Sequence, residues 1–469
     1  MLRIGLSTNN SVCPKMEYEG AIILLPTLIV FVLALLTHRP IESLITGSVA
    51  GLIMIHGTGF VGGFAESSLR VMMDETVAWI ILVCGFMGSL IAIFIRTGST
   101  RSFTERMTDI VRSEKSALMA TWGLGILMFV DDYLNSLAVG SAMRSLTDKY
   151  KVSREKLAYV VDSTAAPISV IIPFSTWGVF FAGLIVANGI APEGEGLDYY
   201  ISAIPYMLYA WVAVLMVPFV IAGIVPLLGP IQRAEKRAKE TGQTVPAEAA
   251  HIEQANLSIQ PRDDVKPRIS MFLVPMTVLV AATLYFDKDF LVGIYIALGG
   301  TVIFIVGSRM MDMHDTFDTV IDGFKSMVEP LGVLVAAFIL KDVNDTLGLA
   351  PYVVESMEPI LTPESLPAVI FASMAAVSFM TGSNWGVFVI VLPIVSALAT
   401  NLGADMPLVI GATLSASTFG SHACFYSDAT VLTAQASGCT PFQHALTQFP
   451  YALIAAVISI AGYLAIAYF

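Results

Sequence analysis

The chain has 469 residues, of which 56% are hydrophobic and only 13% are charged. Soluble domains carry about 25% charged residues, so a soluble enzyme of this length is excluded. A net charge of −12 with no basic groove excludes nucleic-acid binding. Continuous apolar runs exclude a β-barrel and leave an all-α polytopic membrane protein.

In chain order, the runs predict membrane segments over 20–37, 41–58, 77–96, 117–140, 158–190, 203–229, 269–286, 290–307, 330–350, 367–400, 406–437 and 448–469. The first is no obvious cleavable signal, because no clear small-residue cleavage site follows and hydrophobic spans keep coming. Runs 158–190 and 367–400 are too long for one plain helix and contain breakers. The expectation is about 11–13 membrane segments, some broken or re-entrant.

Basic residues cluster between runs, as in Arg96 to Lys115, Arg144 to Lys156 and Arg233 to Arg268, which places these loops on the cytoplasmic side. The acidic stretches "APEGEGLDYY" and "VESMEPILTPE" fit the other side. Both loops flanking 117–140 are basic, so that segment either dips in and returns or departs from the charge rule. The polar stretch 231–267 divides the chain into a first transmembrane half (1–230), a cytoplasmic linker with a small amphipathic helix near 231–240, and a second transmembrane half (268–469).

The run "ILMFVDDYLNSLAVG" carries Asp131 and Asp132 between apolar segments. A carboxylate there is costly unless it faces a cavity, an ion path or a partner. Neighbouring helical residues point about 100° apart, so the two acids serve different roles. Asn135 shares the face of Asp132 and adds a neutral oxygen to a charged one, a pattern suited to a cation. Pairing with Arg144 is the structural alternative. Asp162, before "STAAPIS", is either a second ion carboxylate or a helix cap.

"STWGVF" from Ser175 recurs as "SNWGVF" from Ser383. At nearly the same spacing, Asp132 and Asn135 echo Asp342 and Asn344. Internal repeats with broken helices are characteristic of secondary transporters. Pro167, Pro173, Gly382 and Gly386 supply the breaks. Ser175, Thr176, Ser383 and Asn384 offer neutral oxygens beside them, and Trp177 and Trp385 are either cavity walls or interface anchors. Lys341 compensates a nearby acid.

The stretch Thr413 to Gly438 combines small residues with His422, Ser427 and Asp428. A break at Gly420 would bring His422 and Asp428 together, His422 as a proton relay or a packed polar group. Asp132, Asn135 and Asp428 are the candidate sodium ligands. Cys13, Cys84, Cys424 and Cys439 show no metal or disulfide spacing. No nucleotide, zinc-protease or hydrolase motif is present, so the expectation is no enzyme and no enzymatic cofactor.

The stretches "FVDDYLNSLAVGSAMRSLTDKYKVSREKLAYVVDSTAAP", "TGSNWGVF" and "FGSHACFYSDATVLTAQASGC" resemble the NhaC family of sodium/proton antiporters, in the ion-transporter superfamily. The resemblance covers most of the chain. It implies two repeated halves of opposite orientation, discontinuous helices, an elevator-like motion and a multi-pass protein of the bacterial cytoplasmic (inner) membrane. It directs attention to Asp131, Asp132, Asn135, Asp162, Ser383, Asn384, His422 and Asp428. The coupling ions expected are sodium and protons, with oligomerisation allowed. The family's last motif reads like "GDHCSPISDTT", whereas here Ser421 stands at a familiar Asp and Phe425–Tyr426 at small residues. That departure favours the alternative of sodium- or proton-coupled transport of an amino acid or small organic acid. An ion channel is a further alternative.

Overall fold

A computed structural model describes residues 20–37, 39–107, 111–129, 131–249, 262, 265–286, 289–357, 361–382 and 385–468. Among these residues the repeating elements are all helical. Helices α1 (Leu25–Thr37), α2 (Pro40–His56) and α3 (Phe60–Met73) precede α4 (Glu75–Arg96). Glu75 in the first turn of α4 and Arg96 in its last both suit the helix dipole. After α5 (Ser99–Met107), the expected run 117–140 is interrupted, giving α6 (Glu114–Leu127) and α7 (Asp132–Lys149). Run 158–190 is broken twice, into α8 (Arg154–Asp162), α9 (Ala166–Ile171) and α10 (Thr176–Ala187). Next come α11 (Gly196–Ala203), α12 (Leu208–Ala222) and α13 (Gly229–Thr241).

The second half contains α14 (Ser270–Tyr285), α15 (Phe290–Gly307), α16 (Met313–Lys325), α17 (Val328–Leu347) and α18 (Leu349–Met357). It continues with α19 (Leu366–Thr381), α20 (Trp385–Leu402), α21 (Met406–Ala423), α22 (Asp428–Ser437) and α23 (Pro441–Tyr468). The order of breaks echoes the first half. A break precedes Trp177 in α10 and Trp385 in α20, and two helix pairs are bent, α11–α12 by 53° and α21–α22 by 40°.

Five helical stretches among the described residues are long and apolar enough to cross a membrane whole, and the two bent pairs raise this to seven. Four more apolar helices have 10–17 residues. The predicted 11–13 segments therefore include helices that do not span alone. Runs 117–140 and 406–437 each split where polar residues take over helix capping.

Polarity is inverted relative to a water-soluble protein. Val61, Leu215, Ile303 and Val457 are exposed, while Asp131, Asp132, Asn135, Asp162, His422, Asp428 and His444 are buried. That arrangement suits an apolar solvent. The interior holds two large apolar cores, and each draws on both halves. One joins α9–α12 to α19–α21 and α23, and the other joins α4 and α7 to α14–α17 and α22. Helix α8 lies between them, with Tyr159 and Val160 in the first core and Leu157 and Val161 in the second.

The predicted amphipathic helix is α13, and it is docked. Its Glu235, 2% exposed, accepts from Ser153 N (2.7 Å), Ser153 Oγ (2.8 Å) and Lys156 Nζ (3.1 Å) at the start of α8. Arg237 forks onto Glu155, and Lys156 also reaches Glu114 at 2.6 Å. Arg154 forks onto Asp148 and donates to the Ser437 carbonyl, which satisfies the C-terminal end of α22. Arg154 and Lys156, expected as loop charges, are thus buried, because each has carboxylate partners. Residues 250–261 of the expected linker lie outside the described residues.

Burial alone would raise the Glu114 carboxyl, but Lys156 and Lys239 hold it below its ordinary 4.5. Burial alone would lower Lys239, but Glu114 and Glu235 hold it above its ordinary 10.5. The stabilisation from Glu114 is present above pH 4.5 and lost as pH falls below it; that from Lys239 is present below pH 10.5 and lost as pH rises beyond it. Docking of α13 is therefore expected to hold between these limits and to loosen in acid. Hydrogen exchange of α13 across pH, corrected for intrinsic rates, checks this, and loosening near neutrality would contradict it.

Candidate functional site

Two helix starts meet in the interior. At one, Asp131 caps α7, its Oδ1 accepting from Leu134 N at 2.9 Å. At the other, Ser427 caps α22, its Oγ accepting from Thr430 N at 3.2 Å and donating to the Ser421 carbonyl at 2.6 Å. The Tyr133 hydroxyl donates to Asp428 Oδ2 at 2.5 Å, and Thr433 Oγ1 donates to Ser136 Oγ at 2.8 Å, so the two helices are stitched along their first turns. Helix N-termini favour negative charge, which explains how Asp131, Asp132 and Asp428 tolerate burial at this point.

A third helix start adjoins them. Ser175 caps α10 by accepting from Gly178 N and donates to the Ser169 carbonyl, a structural task. Thr176 Oγ1 donates to Asp131 Oδ2 at 3.0 Å. Trp177 is fully buried beside the Asp132 carboxylate and against Phe181.

Asp132 and Asn135 are both buried in the first turns of α7. Asn135 Nδ2 donates to the Gly125 carbonyl (2.6 Å) and the Thr164 carbonyl (2.7 Å), tying α7 to the end of α6 and to the α8–α9 break. Its Oδ1 and Asp132 Oδ1 are both buried without a hydrogen-bond partner. Both oxygens are acceptors, one of a carboxylate and one of an amide, and they lie three residues apart on α7. Asp428 differs, since one oxygen takes Tyr133 and the other takes Ala429 N. No group of three or more His, Cys, Asp or Glu converges as a metal cage among the described residues.

Gly125 is what lets this seam close. A Cβ there would lie 2.0 Å from Thr164 Oγ1. Gly125→Ala is expected to lower stability by roughly 1–3 kcal/mol through overpacking. Thermal unfolding of the variant checks it, and a parent-like midpoint would mean the seam is looser than described.

A second buried cluster surrounds Asp162. It is the last residue of α8, and the next helix is capped without a side-chain bond at Ala165, so the helix-cap reading of Asp162 is wrong. Asp162 Oδ2 accepts from His444 Nε2 (2.9 Å) and Gln448 Nε2 (2.7 Å). The Gln448 amide also donates to the His422 carbonyl. The ring of His422 pairs with Ser163 Oγ (2.9 Å) and the Tyr209 hydroxyl (2.7 Å). His422 and Asp428 were expected to meet through a break at Gly420. Helix α21 instead runs through Gly420 to Ala423, and the two residues take different partners. His444, Gln448 and Tyr209 were not foreseen, although the spacing of His444 and Gln448 puts them on one helical face.

The remaining candidates lie apart. Asp342 accepts from Ser67 and forms an ion pair with half-exposed Arg70 at 2.9 Å. Asn344 Oδ1 accepts from Thr27 Oγ1 at 3.2 Å. Both sit within α17, so they do not reproduce the α6–α7 break. Lys341 pairs with Asp345 at 2.9 Å. Ser383 and Asn384 lie outside the described residues, as does Cys13, while Cys84, Cys424 and Cys439 are free and buried. Phe425 and Tyr426 present no open aromatic surface. Phe425 packs on Phe379, Phe442 and Phe449, and the Tyr426 hydroxyl donates to the Met380 carbonyl at 2.5 Å. This removes the observation that favoured an organic substrate. A cavity of about 10 Å³ reaches Asp428 between Lys341, Thr381 and Gly382, roughly the room for one water.

Comparison with known proteins gives three findings. The family model described as the Na+/H+ antiporter family matches residues 8–194 and 195–468. A protein of Haemophilus influenzae, described as uncharacterized, is 26% identical over 478 residues, covering 95% of this chain and 90% of that one. A solved structure of Neisseria gonorrhoeae MtrF, described as illuminating a class of antimetabolite efflux pumps, aligns over 94% of each chain with 15% identity and a TM-score of 0.34.

Proposed function

The chain belongs to the Na+/H+ antiporter family, and from that premise we propose that it exchanges sodium for protons, in the manner of the NhaC type, across a bacterial cytoplasmic (inner) membrane. It is a multi-pass membrane protein and a secondary transporter. The finer reading rests on one observation, the buried and unfilled oxygens of Asp132 and Asn135 on α7, whose N-terminus meets that of α22.

The physical logic is charge balance. Asp131, Asp132 and Asp428 interact electrostatically inside the protein. Three anions in a medium of low polarity repel strongly, and helix dipoles offset only part of that cost. A monovalent cation that sheds its water onto Asp132 and Asn135 removes the remainder. When it leaves, a proton elsewhere in the interior restores the balance, which couples the two movements without covalent chemistry. An open vestibule of about 960 Å³ beside α13 reaches Val431 and Gln435 of α22, and serves as an aqueous approach to that helix.

The test is sodium-driven proton movement in proteoliposomes containing the purified protein. The expected result is an internal pH change that saturates with sodium and is absent in empty vesicles. No response from a preparation shown to be folded would defeat the proposal. Sustained single-channel current without exchange would favour a channel instead.

A further inference from the structure

We propose that Asp162 and His444 form the proton site of the transport cycle, separate from the carboxylates that hold sodium; this rests on the exchange reading above. The placement of the acids separates the two tasks. Asp131, Asp132 and Asp428 stand at the starts of helices, where the dipole favours an anion. Asp162 stands at the end of α8, where the dipole opposes one. An unaccompanied carboxylate there is the costliest of the four, and a proton shared with an imidazole offsets that cost.

The partners fit this task. His444 and Gln448 project from one face of α23 and both donate to Asp162 Oδ2. All three residues are fully buried. Asp162 Oδ1 and His444 Nδ1 have no hydrogen-bond partner. The pair therefore carries two buried, unfilled positions where a proton binds or departs. Asp162 also lies within electrostatic reach of Asp428, so the charge state of one site is felt at the other.

At this end of α8 the surrounding groups are hydroxyls, His422 and the carboxyl of Asp428. Tyr159 faces the cluster from α8, Tyr209 from α12 and His422 from α21, with Asp428 on α22. Charged groups of α6, α7 and α13 (Glu114, Asp148, Glu235 and Arg237) meet the opposite end of α8 through Arg154, Glu155 and Lys156. The chain Tyr209–His422–Ser163 adjoins Asp162 and is hydrogen-bonded throughout. In the exchange step, sodium enters at Asp132 while the Asp162–His444 pair releases one proton. One positive charge replaces another, and no bond other than the N–H or O–H is broken.

The test uses the full chain in detergent with weak buffer. Sodium addition to the parent is expected to release protons, and its apparent sodium affinity should change about tenfold per pH unit over the range where one proton is exchanged. At saturating sodium, Asp162→Asn and His444→Gln are each expected to release almost no proton, and their sodium affinity should change less than about twofold per pH unit. If either folds and releases protons as the parent does, the inference is overturned while the exchange reading stands. If the parent binds no sodium, the exchange reading fails. Should neither variant fold, sodium-induced infrared difference spectra of the parent decide. Carboxyl and imidazole bands support the inference, and their absence overturns it.

Discussion

Asp132→Asn is expected to reduce sodium-driven proton movement by about 30-fold or more, in a protein that still folds. Asn keeps the shape that packs beside Trp177 and removes only the charge. In the proposed sodium site Asp132 Oδ1 is the charged half of the acceptor set, and losing that charge leaves a sodium ion facing only neutral amide oxygens. Removing one partner of a buried charge contact costs roughly 2–5 kcal/mol, which is about 30-fold to several thousand-fold. Asp342→Asn is the matched control. Its carboxylate pairs with half-exposed Arg70 away from the site, and such pairs are worth about 1 kcal/mol or less. Initial rates at equal reconstituted protein separate the two. An Asp132 variant within threefold of the parent would move the sodium site elsewhere.

Lys156→Met is expected to cost roughly 3–5 kcal/mol of stability, the range found when one member of a buried ion pair is removed. The lysine and Glu235 side chains are 5% and 3% exposed, so the carboxylate left behind cannot recover its hydration. Lys239 stands 3.7 Å from Glu235 but is itself half exposed, and compensates only in part. Adding Glu235→Leu should recover much of the loss, since an apolar pair of similar volume often replaces a buried ion pair without penalty. Unfolding midpoints in detergent for parent, single and double variants test this. A single variant as stable as the parent would show that α13 adds little to the fold.

The helical membrane class was legible because composition alone decides it. So was the placement of Asp132 and Asn135 on one helix, because the apolar pattern around them is helical. What the sequence hid were partners distant in the chain. Tyr133 gave no sign that it would reach Asp428, and His444 gave none that it would reach Asp162, since no local periodicity encodes such contacts. The Asn344 echo misled for a related reason. Similar letters recur, but α17 continues unbroken through Lys341–Leu347 and its polar groups find partners on α1 and α3. Phe425 and Tyr426 misled because aromatic residues are as useful for filling a core as for lining a pocket.

Tyr133 and Asp428 are separated by 295 positions in the chain, and both apolar cores wait for helices from the far end. At about 5–20 residues per second, the ribosome takes roughly 15–60 s to travel between them. During that interval the first broken helix has emerged, with Asp131 and Asp132 on it, while α22 has yet to be made. The membrane insertion machinery must shelter those acids from lipid until the last three helices are synthesised. A nascent chain stalled before residue 428 is therefore expected to be a substrate for membrane quality control.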